Sequence, residues 1–193
     1  MENKTPAIYN DCAKILVSEQ EISAICDRLA AEIQKPYENS GRRLVMVVIL
    51  KGSMPFAADL MKRLTLPLEL EFMKVSSYGA GTKTSGEIKI SLDLKRDDLQ
   101  DIDLLVVEDI VDSGRTLFRL TQLLKNRNAH SVRTCTLLDK PSRREVDFVP
   151  DFRGATIPDE FVIGYGLDYD EKYRNLPFVG VLKREVYEKP AEG

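Results

Sequence analysis

The sequence predicts an α/β protein built on a parallel sheet with helices on both faces, and three observations carry that prediction. Residues 44–50, LVMVVIL, and residues 104–107, LLVV, are unbroken apolar runs, the pattern of strands covered on both sides. Each leads into a polar turn with a glycine, Lys51-Gly52-Ser53 in one case and Asp112-Ser113-Gly114 in the other. Beyond each turn, apolar residues recur at helical spacing: Phe56, Ala57, Leu60, Met61 and Leu64, then Leu117, Leu120, Leu123 and Leu124. Strands that alternate with helices build parallel sheets.

The elements follow in order. Residues 18–35 read as a core-facing helix. Ser18 and Glu21 form a capping box, Val17 and Ile22 a hydrophobic staple, Ile22, Ile25, Leu29 and Ile33 share one face, and Pro36 closes the run. After the strand at 44–50, residues 68–75 and 87–94 alternate as strands, the second with Ile88, Ile90, Leu92 and Leu94 on one face. Between them SSYGAGTKTSG, residues 76–86, is too long for a tight hairpin. With Tyr78 among small residues it reads as a lid, the alternative being a plain flexible connector. In the next unit three carboxylates, Glu108, Asp109 and Asp112, lie where the strand ends and the helix begins. A strand over 132–138 ends in Asp139-Lys140-Pro141, and Arg143 and Arg144 read as solvated surface. Residues 150–159 read as irregular, 161–166 as a short apolar segment and 179–182 as a last strand, with a frayed KPAEG tail. The proline-bearing last third predicts a small mixed lobe beside the core.

Length and composition fit a single domain over 1–193. A net charge of -3 excludes a protein built to coat nucleic acid. No apolar run approaches the ~20 residues of a membrane span, and the N-terminus lacks the basic-then-apolar order of a signal peptide. A cytosolic address is expected. Cys12, Cys26 and Cys135 form no CxxC pair and read as packed thiols, and the single histidine, His130, cannot build a histidine-rich zinc site.

The chemistry concentrates in VVEDIVDSGRTL, residues 106–117. A helix start leaves backbone N–H groups unpaired and carries about half a positive charge. Ser113 and Thr116 add hydroxyls, Gly114 lets the backbone come close, and Arg115 adds a charge, so the stretch is a phosphate cradle without being a Walker A loop. A phosphate cradle beside three acids calls for a hydroxylated ligand, a divalent cation or a carboxylate acting as base. A phosphorylated sugar meets all three. Its hydroxyls would donate to Glu108 and Asp109, Mg2+ would bridge carboxylate and phosphate, and Asp112 would stand near the reacting carbon as general base or electrostatic stabiliser. Two plainer readings compete: Asp112 as a mere helix cap, and a receiver-type acid site. The Lys51-Gly52 turn favours a second anion but is equally an ordinary βα turn.

The motif resembles the signature of the type I phosphoribosyltransferases that binds 5-phosphoribosyl diphosphate (PRPP). Leu50-Lys51-Gly52, Ser77-Tyr78, Leu138-Asp139-Lys140 and IPDEFVIGYGLDYDEKYRNLP at 157–177 extend the resemblance to the hypoxanthine-guanine branch, over about residues 13–187. The resemblance implies a core over about 15–140 with a small hood lobe from the terminal segments, about 1–14 and 141–190. It places Glu108 and Asp109 on the ribose and Asp112 to Thr116 on the 5′-phosphate, with Asp112 facing N7 of the purine as general acid/base. It puts pyrophosphate on Lys51, Gly52 and Arg174, in a turn that often has a non-proline cis peptide, and Mg2+ on Glu108, Asp109 and, through water, Asp168. Lys140 would donate to a 6-oxo group, Phe161 stack on the base, the Val162 backbone read its edge, and Ser77 and Tyr78 close over the centre. Two positions depart from many relatives, Ser113 for threonine and Arg115 for lysine, and both keep the hydroxyl or charge.

The implied reaction is Mg2+-dependent purine salvage: hypoxanthine or guanine plus PRPP gives IMP or GMP plus pyrophosphate. The resemblance also implies a homodimer or homotetramer with contacts near the Lys51 turn, and no nucleic-acid or membrane partner. A non-catalytic regulator of the same fold and a xanthine-preferring relative are the rivals. Preference at purine position 2 is not written in side chains.

Overall fold

The computed structural model describes residues 7–77 and 88–188. β1 (Cys12–Val17) leads directly into α1 (Glu19–Tyr37), which starts at the expected capping box: the Glu21 N–H donates to Ser18 Oγ and the Ser18 N–H to the Glu21 carboxylate. The helix does not stop before Pro36. A proline inside a helix costs ~3 kcal/mol or more, but here it falls in the last turn, where Tyr37 is buried in the core beneath the Arg133 guanidinium, 5.2 Å from the ring centre. β2 (Arg43–Ile49), α2 (Met54–Met61) and β3 (Leu68–Ser77) follow, then β4 (Ile88–Leu92) and β5 (Ile102–Val111). After them come α3 (Arg115–Asn126), β6 (Ser131–Asp139), β7 (Phe152–Thr156), β8 (Val162–Ile163), β9 (Val179–Leu182) and the single turn α4 (Arg184–Tyr187).

Six strands form the main sheet in the order β4-β3-β2-β5-β6-β7, parallel except for β4 against β3. Alternate side chains of the buried strands feed two cores. Leu44, Met46, Val48, Leu105, Val107 and Leu137 pack with Leu29 and Ile33 of α1 and Phe56 and Leu60 of α2. Val45, Val47, Leu104 and Val106 pack with Leu117, Leu120 and Leu124 of α3 on the opposite face. Helices therefore cover both faces, as the apolar runs predicted. A separate sheet, β1-β9-β8, joins residues from the two ends of the chain over its own small core of Ile163, Tyr173, Leu176, Phe178 and Leu182.

The strand order positions the site. From β2 the chain crosses over one face to β3, and from β5 over the other face to β6, so the direction of winding reverses between β2 and β5. Ligands of open α/β sheets bind at such a switch point, beyond the carboxyl ends of the strands. The Lys51-Gly52 turn and the acidic motif are brought side by side for that reason.

Several expectations need correction. β5 does not end at Val107. It pairs with β6 as far as Val111–Asp139, while its pairing with β2 stops at Val107–Val48, so Glu108 and Asp109 lie on a strand whose β2 side is open. The stretch 150–159 is not irregular: β7 extends the sheet, with Arg28 Nη2 donating to the Arg153 and Gly154 carbonyls. In β4 the register slips by one residue near Ser91, which turns Leu92 to solvent, 40% exposed, while Leu94 is buried. β1 went unread because Lys14 interrupts its apolar pattern and its pairing with β9 is irregular. The tail from 189 onward and Tyr78 lie outside the described residues. Among the described residues no helix is long and apolar enough to cross a membrane.

Candidate active site

Two cavities meet at the carboxyl end of the sheet. The first, about 370 Å³, is lined by Lys51, Gly52, Glu108, Asp109, Ser113, Gly114, Thr116 and Arg174. The second, about 480 Å³, is lined by Lys140, Arg143, Phe161, Val162, Leu167 and Tyr187. Ile110, Asp112 and Asp168 line both. Asp112 thus stands at the junction of the two cavities.

Its local structure follows from Gly114. With φ at 78° this residue occupies the left-handed region, which glycine enters without penalty, and it forms the N-cap of α3. Asp112 is therefore not the helix cap. Its carboxylate is half-exposed, 3.7 Å from Lys140 Nζ and 4.0 Å from Arg143 Nε. The Arg115 N–H reaches Ser113 Oγ at 3.4 Å, and its guanidinium turns to Glu145 at 2.6 Å, so the Arg115 charge is engaged by Glu145 and the residue does not line the cleft.

Glu108 and Asp109 form the cleft's acidic floor. Burial, and then the neighbouring carboxylate, pushes Glu108 well above its ordinary value, and burial pushes Asp109 up as well. The Ile110 N–H donates to Asp109 Oδ1 at 2.7 Å, while Oδ2 lies so close to Gly52 that a Cβ there would be 1.6 Å away. A half-buried acid pair reluctant to ionise is a fitting partner for a cation. Among the described residues, however, no three acid, histidine or cysteine side chains gather as a complete metal cage, and Asp168 is held instead by Arg174 at 2.8 Å. These residues fit Mg2+ only in the manner in which that ion is usually bound, by one or two carboxylates together with ligand phosphates.

The raised acid has a consequence for stability. A folded state that binds a proton more tightly than the unfolded chain loses stability as pH rises from the ordinary value, 4.5 for Glu108, through the raised one. Glu108→Gln is expected to raise the melting temperature of the ligand-free protein near neutral pH, with the gain shrinking towards pH 4.5. Thermal melts across a pH series check this. A difference that is flat with pH would show that Glu108 does not carry the effect.

Beside the acids, the Leu50–Lys51 peptide is cis, at the turn for which the resemblance implied a cis bond without saying which peptide. Lys51 Nζ lies 2.9 Å from Glu171, and Arg174 donates to the Gly166 carbonyl at 2.8 Å while approaching Glu171 at 3.4 Å. Glu171 was not singled out in the sequence, yet it bridges the two cations assigned to pyrophosphate. The 165–173 loop that carries these groups holds Tyr165, Asp170, Glu171 and Tyr173 at positive φ. Such backbone persists where its surroundings over-determine it, here through Tyr165 Oη donating to Asp59 and Tyr173 Oη to Asp11, both at 2.7 Å.

In the second pocket Lys140, 6% exposed, donates from Nζ to the Glu160 carbonyl at 2.7 Å. Phe161 is 41% exposed, stacked on Tyr187 with ring centres 5.0 Å apart and met edge-on by Tyr169. Val162 lies beside it in β8. The expectation of solvated surface holds for Arg143, whose side chain is half-exposed, and is overturned for Arg144. Arg143 lines the pocket, and Arg144 is largely buried against Asp139 while donating to the Asp112 carbonyl at 2.8 Å. No local pattern reveals such contacts, because the partners lie 32 residues apart in the chain. Ser77 ends β3, and the rest of the expected lid lies outside the described residues.

A mostly parallel sheet whose switch point joins a helix start, an acid pair and an aromatic-walled pocket defines an α/β protein with a small-molecule cleft at that point. The phosphoribosyl transferase domain model matches residues 13–170. A hypoxanthine-guanine phosphoribosyltransferase of Staphylococcus aureus is 48% identical over 93% of this chain and 99% of its own length. The chain belongs to the phosphoribosyltransferase family, in its hypoxanthine-guanine branch. It is also 50% identical, over 94% of its length, to part of the bifunctional protein TilS/HprT of Listeria monocytogenes, of whose length it spans 28%. The crystal structure of a hypoxanthine phosphoribosyltransferase from Staphylococcus aureus superposes with a TM-score of 0.90 at 46% identity, covering 96% of this chain and all of that one.

Proposed function

We propose that this chain transfers the 5-phosphoribosyl group of PRPP to hypoxanthine, guanine or both, giving IMP or GMP and pyrophosphate. The observation that carries the reading is Asp112 at the junction of the two cavities, with the phosphate cradle on one side and Lys140 and Phe161 on the other. In the reaction the C1′–oxygen bond to pyrophosphate breaks and a bond from C1′ to purine N9 forms, while Asp112 takes the proton from N7. The cradle from Ser113 to Thr116 binds the 5′-phosphate, and Glu108 and Asp109 accept from the ribose hydroxyls. Lys51 and Arg174 exchange Glu171 for the departing pyrophosphate. Asp112 also offsets positive charge developing on the sugar. Mg2+, held by Glu108 and Asp109 with Asp168 through water, would supply neutralisation of phosphate charge.

The test is direct: PRPP and Mg2+ with hypoxanthine, guanine, xanthine or adenine in turn, following product absorbance. Turnover of adenine alone, or of none, contradicts the proposal, and xanthine as the best base favours the xanthine-preferring rival. Lys140 is a cation facing the base and suits a 6-oxo acceptor over a 6-amino group. Lys140→Ala is expected to narrow the hypoxanthine-over-adenine ratio of kcat/KM by at least about tenfold, the scale of a lost charged hydrogen bond. An unchanged ratio removes Lys140 from that role.

The proposal includes a cytosolic address and self-association as a homodimer or homotetramer. Met54 is 57% exposed, and Leu70 and Phe72 are each 39% exposed beside the Lys51 turn and α2, an apolar face suited to a second copy. A monomer mass in sedimentation equilibrium contradicts it.

A further inference from the structure

We propose that Arg144 is a positioning residue that sets the phosphate cradle and Asp112 from outside the cleft, an inference that rests on the reading above. Asp139, 1% exposed at the end of β6, is the anchor. One of its carboxylate oxygens accepts from Arg144 Nη2, and the other is 3.3 Å from Arg153. From that anchor Arg144 Nη1 donates to the Asp112 carbonyl at 2.8 Å. The same segment adds two backbone bonds to the strand end and the cradle: the Lys140 N–H donates to the Val111 carbonyl at 2.9 Å and the Glu145 N–H to the Ser113 carbonyl at 3.0 Å. Arg144 also fills the space over Gly114, where an added Cβ would lie 2.8 Å from its Cδ.

The geometry has a chemical consequence. Asp112 precedes α3, so helix hydrogen bonding does not orient its carbonyl. In a planar trans peptide the C=O and the following N–H point in opposite directions. Drawing the Asp112 carbonyl onto Arg144 therefore turns the Ser113 N–H away from Arg144. It also fixes the backbone from which the Asp112 carboxylate projects. The planar guanidinium reaches a carboxylate and a carbonyl at once with two nitrogens, which a lysine ammonium cannot do in the same geometry. Asp139 keeps the guanidinium in place, because moving Arg144 away would leave the Asp139 carboxylate buried with its charge less well compensated.

The experiment compares Arg144→Lys, Arg144→Ala and Asp139→Asn with the unaltered chain in steady-state kinetics and in calorimetric binding of ribose 5-phosphate. All three variants are expected to raise KM for PRPP and weaken ribose 5-phosphate binding by about tenfold or more, the scale of a lost charged hydrogen bond. KM for the base should stay within about twofold, and added methylguanidine should partly restore Arg144→Ala. Wild-type PRPP parameters in Arg144→Lys overturn the proposal. So does an equal rise in both KM values, which marks a merely structural role. If Arg144→Ala does not fold, Arg144→Lys and Asp139→Asn decide. If the unaltered chain shows no transfer, the functional reading fails, and ribose 5-phosphate binding still reports on Arg144.

Discussion

Asp112→Asn is expected to lower kcat by about 10²- to 10⁴-fold, the usual contribution of a positioned general acid or base, while PRPP affinity stays near that of the unaltered chain. The asymmetry follows from where Asp112 sits. In the proposed role the cradle would bind phosphate through backbone N–H groups and hydroxyls from Ser113 onward, and asparagine leaves that backbone alone. The Asp112 side chain faces the other cavity, 3.7 Å from Lys140 and with no capping duty towards α3. An amide there can neither take a proton from the purine nor offset positive charge on the sugar. Steady-state kinetics with a direct measurement of PRPP binding separate the two effects. Near-normal turnover would remove Asp112 from its assigned role.

Gly52→Ala is expected to damage both stability and activity. An added methyl would lie 1.6 Å from Asp109 Oδ2 and 3.5 Å from the Gly166 carbonyl. Asp109 has little room to retreat, because its other oxygen already accepts from the Ile110 N–H and its backbone belongs to β5. Forcing extra volume into a packed site costs ~1–3 kcal/mol, which for a chain of this size corresponds to a melting temperature lower by about 2–12 °C. Because the methyl collides with an acid assigned to the ribose and sits in the turn assigned to pyrophosphate, kcat/KM for PRPP should fall more than KM for the base rises. A Gly52→Ala protein that melts and turns over like the unaltered chain would show that the turn and the acid are not in contact.

These expectations share one arrangement. Charge in the free protein is already balanced by substitutes for the ligand: Glu171 lies between Lys51 and Arg174, and Lys140 lies near Asp112. Binding PRPP would exchange Glu171 for pyrophosphate. An exposed carboxylate is a weak competitor, since ion pairs of this kind are worth ~0–1 kcal/mol.

Much of this was legible in the chain. Local pattern reports burial directly, so LVMVVIL and LLVV announced covered parallel strands, and Ser18 with Glu21 announced the start of α1. Glycine and polar residues at a strand-to-helix junction pointed to a cleft there, and these residues do line one. Weak or broken local patterns hid other elements. β1 is interrupted by Lys14, and β7, with the sequence FRGAT, has no clear alternation, so neither strand is apparent before its neighbour is in place.

Residue types and short spacings thus specified the α/β class and the resemblance that pointed to each candidate site residue. Long-range packing settled the rest. It moved Glu108 and Asp109 onto β5, because β6 pairs further along that strand than β2 does. It gave the helix cap to Gly114 and left Asp112 free at the junction of the cavities. It turned Arg115 out to Glu145 and brought Arg144 in to Asp139 and the Asp112 carbonyl. A side chain's type states which bonds it can make, but its direction depends on backbone geometry and on partners that only the folded chain brings within reach.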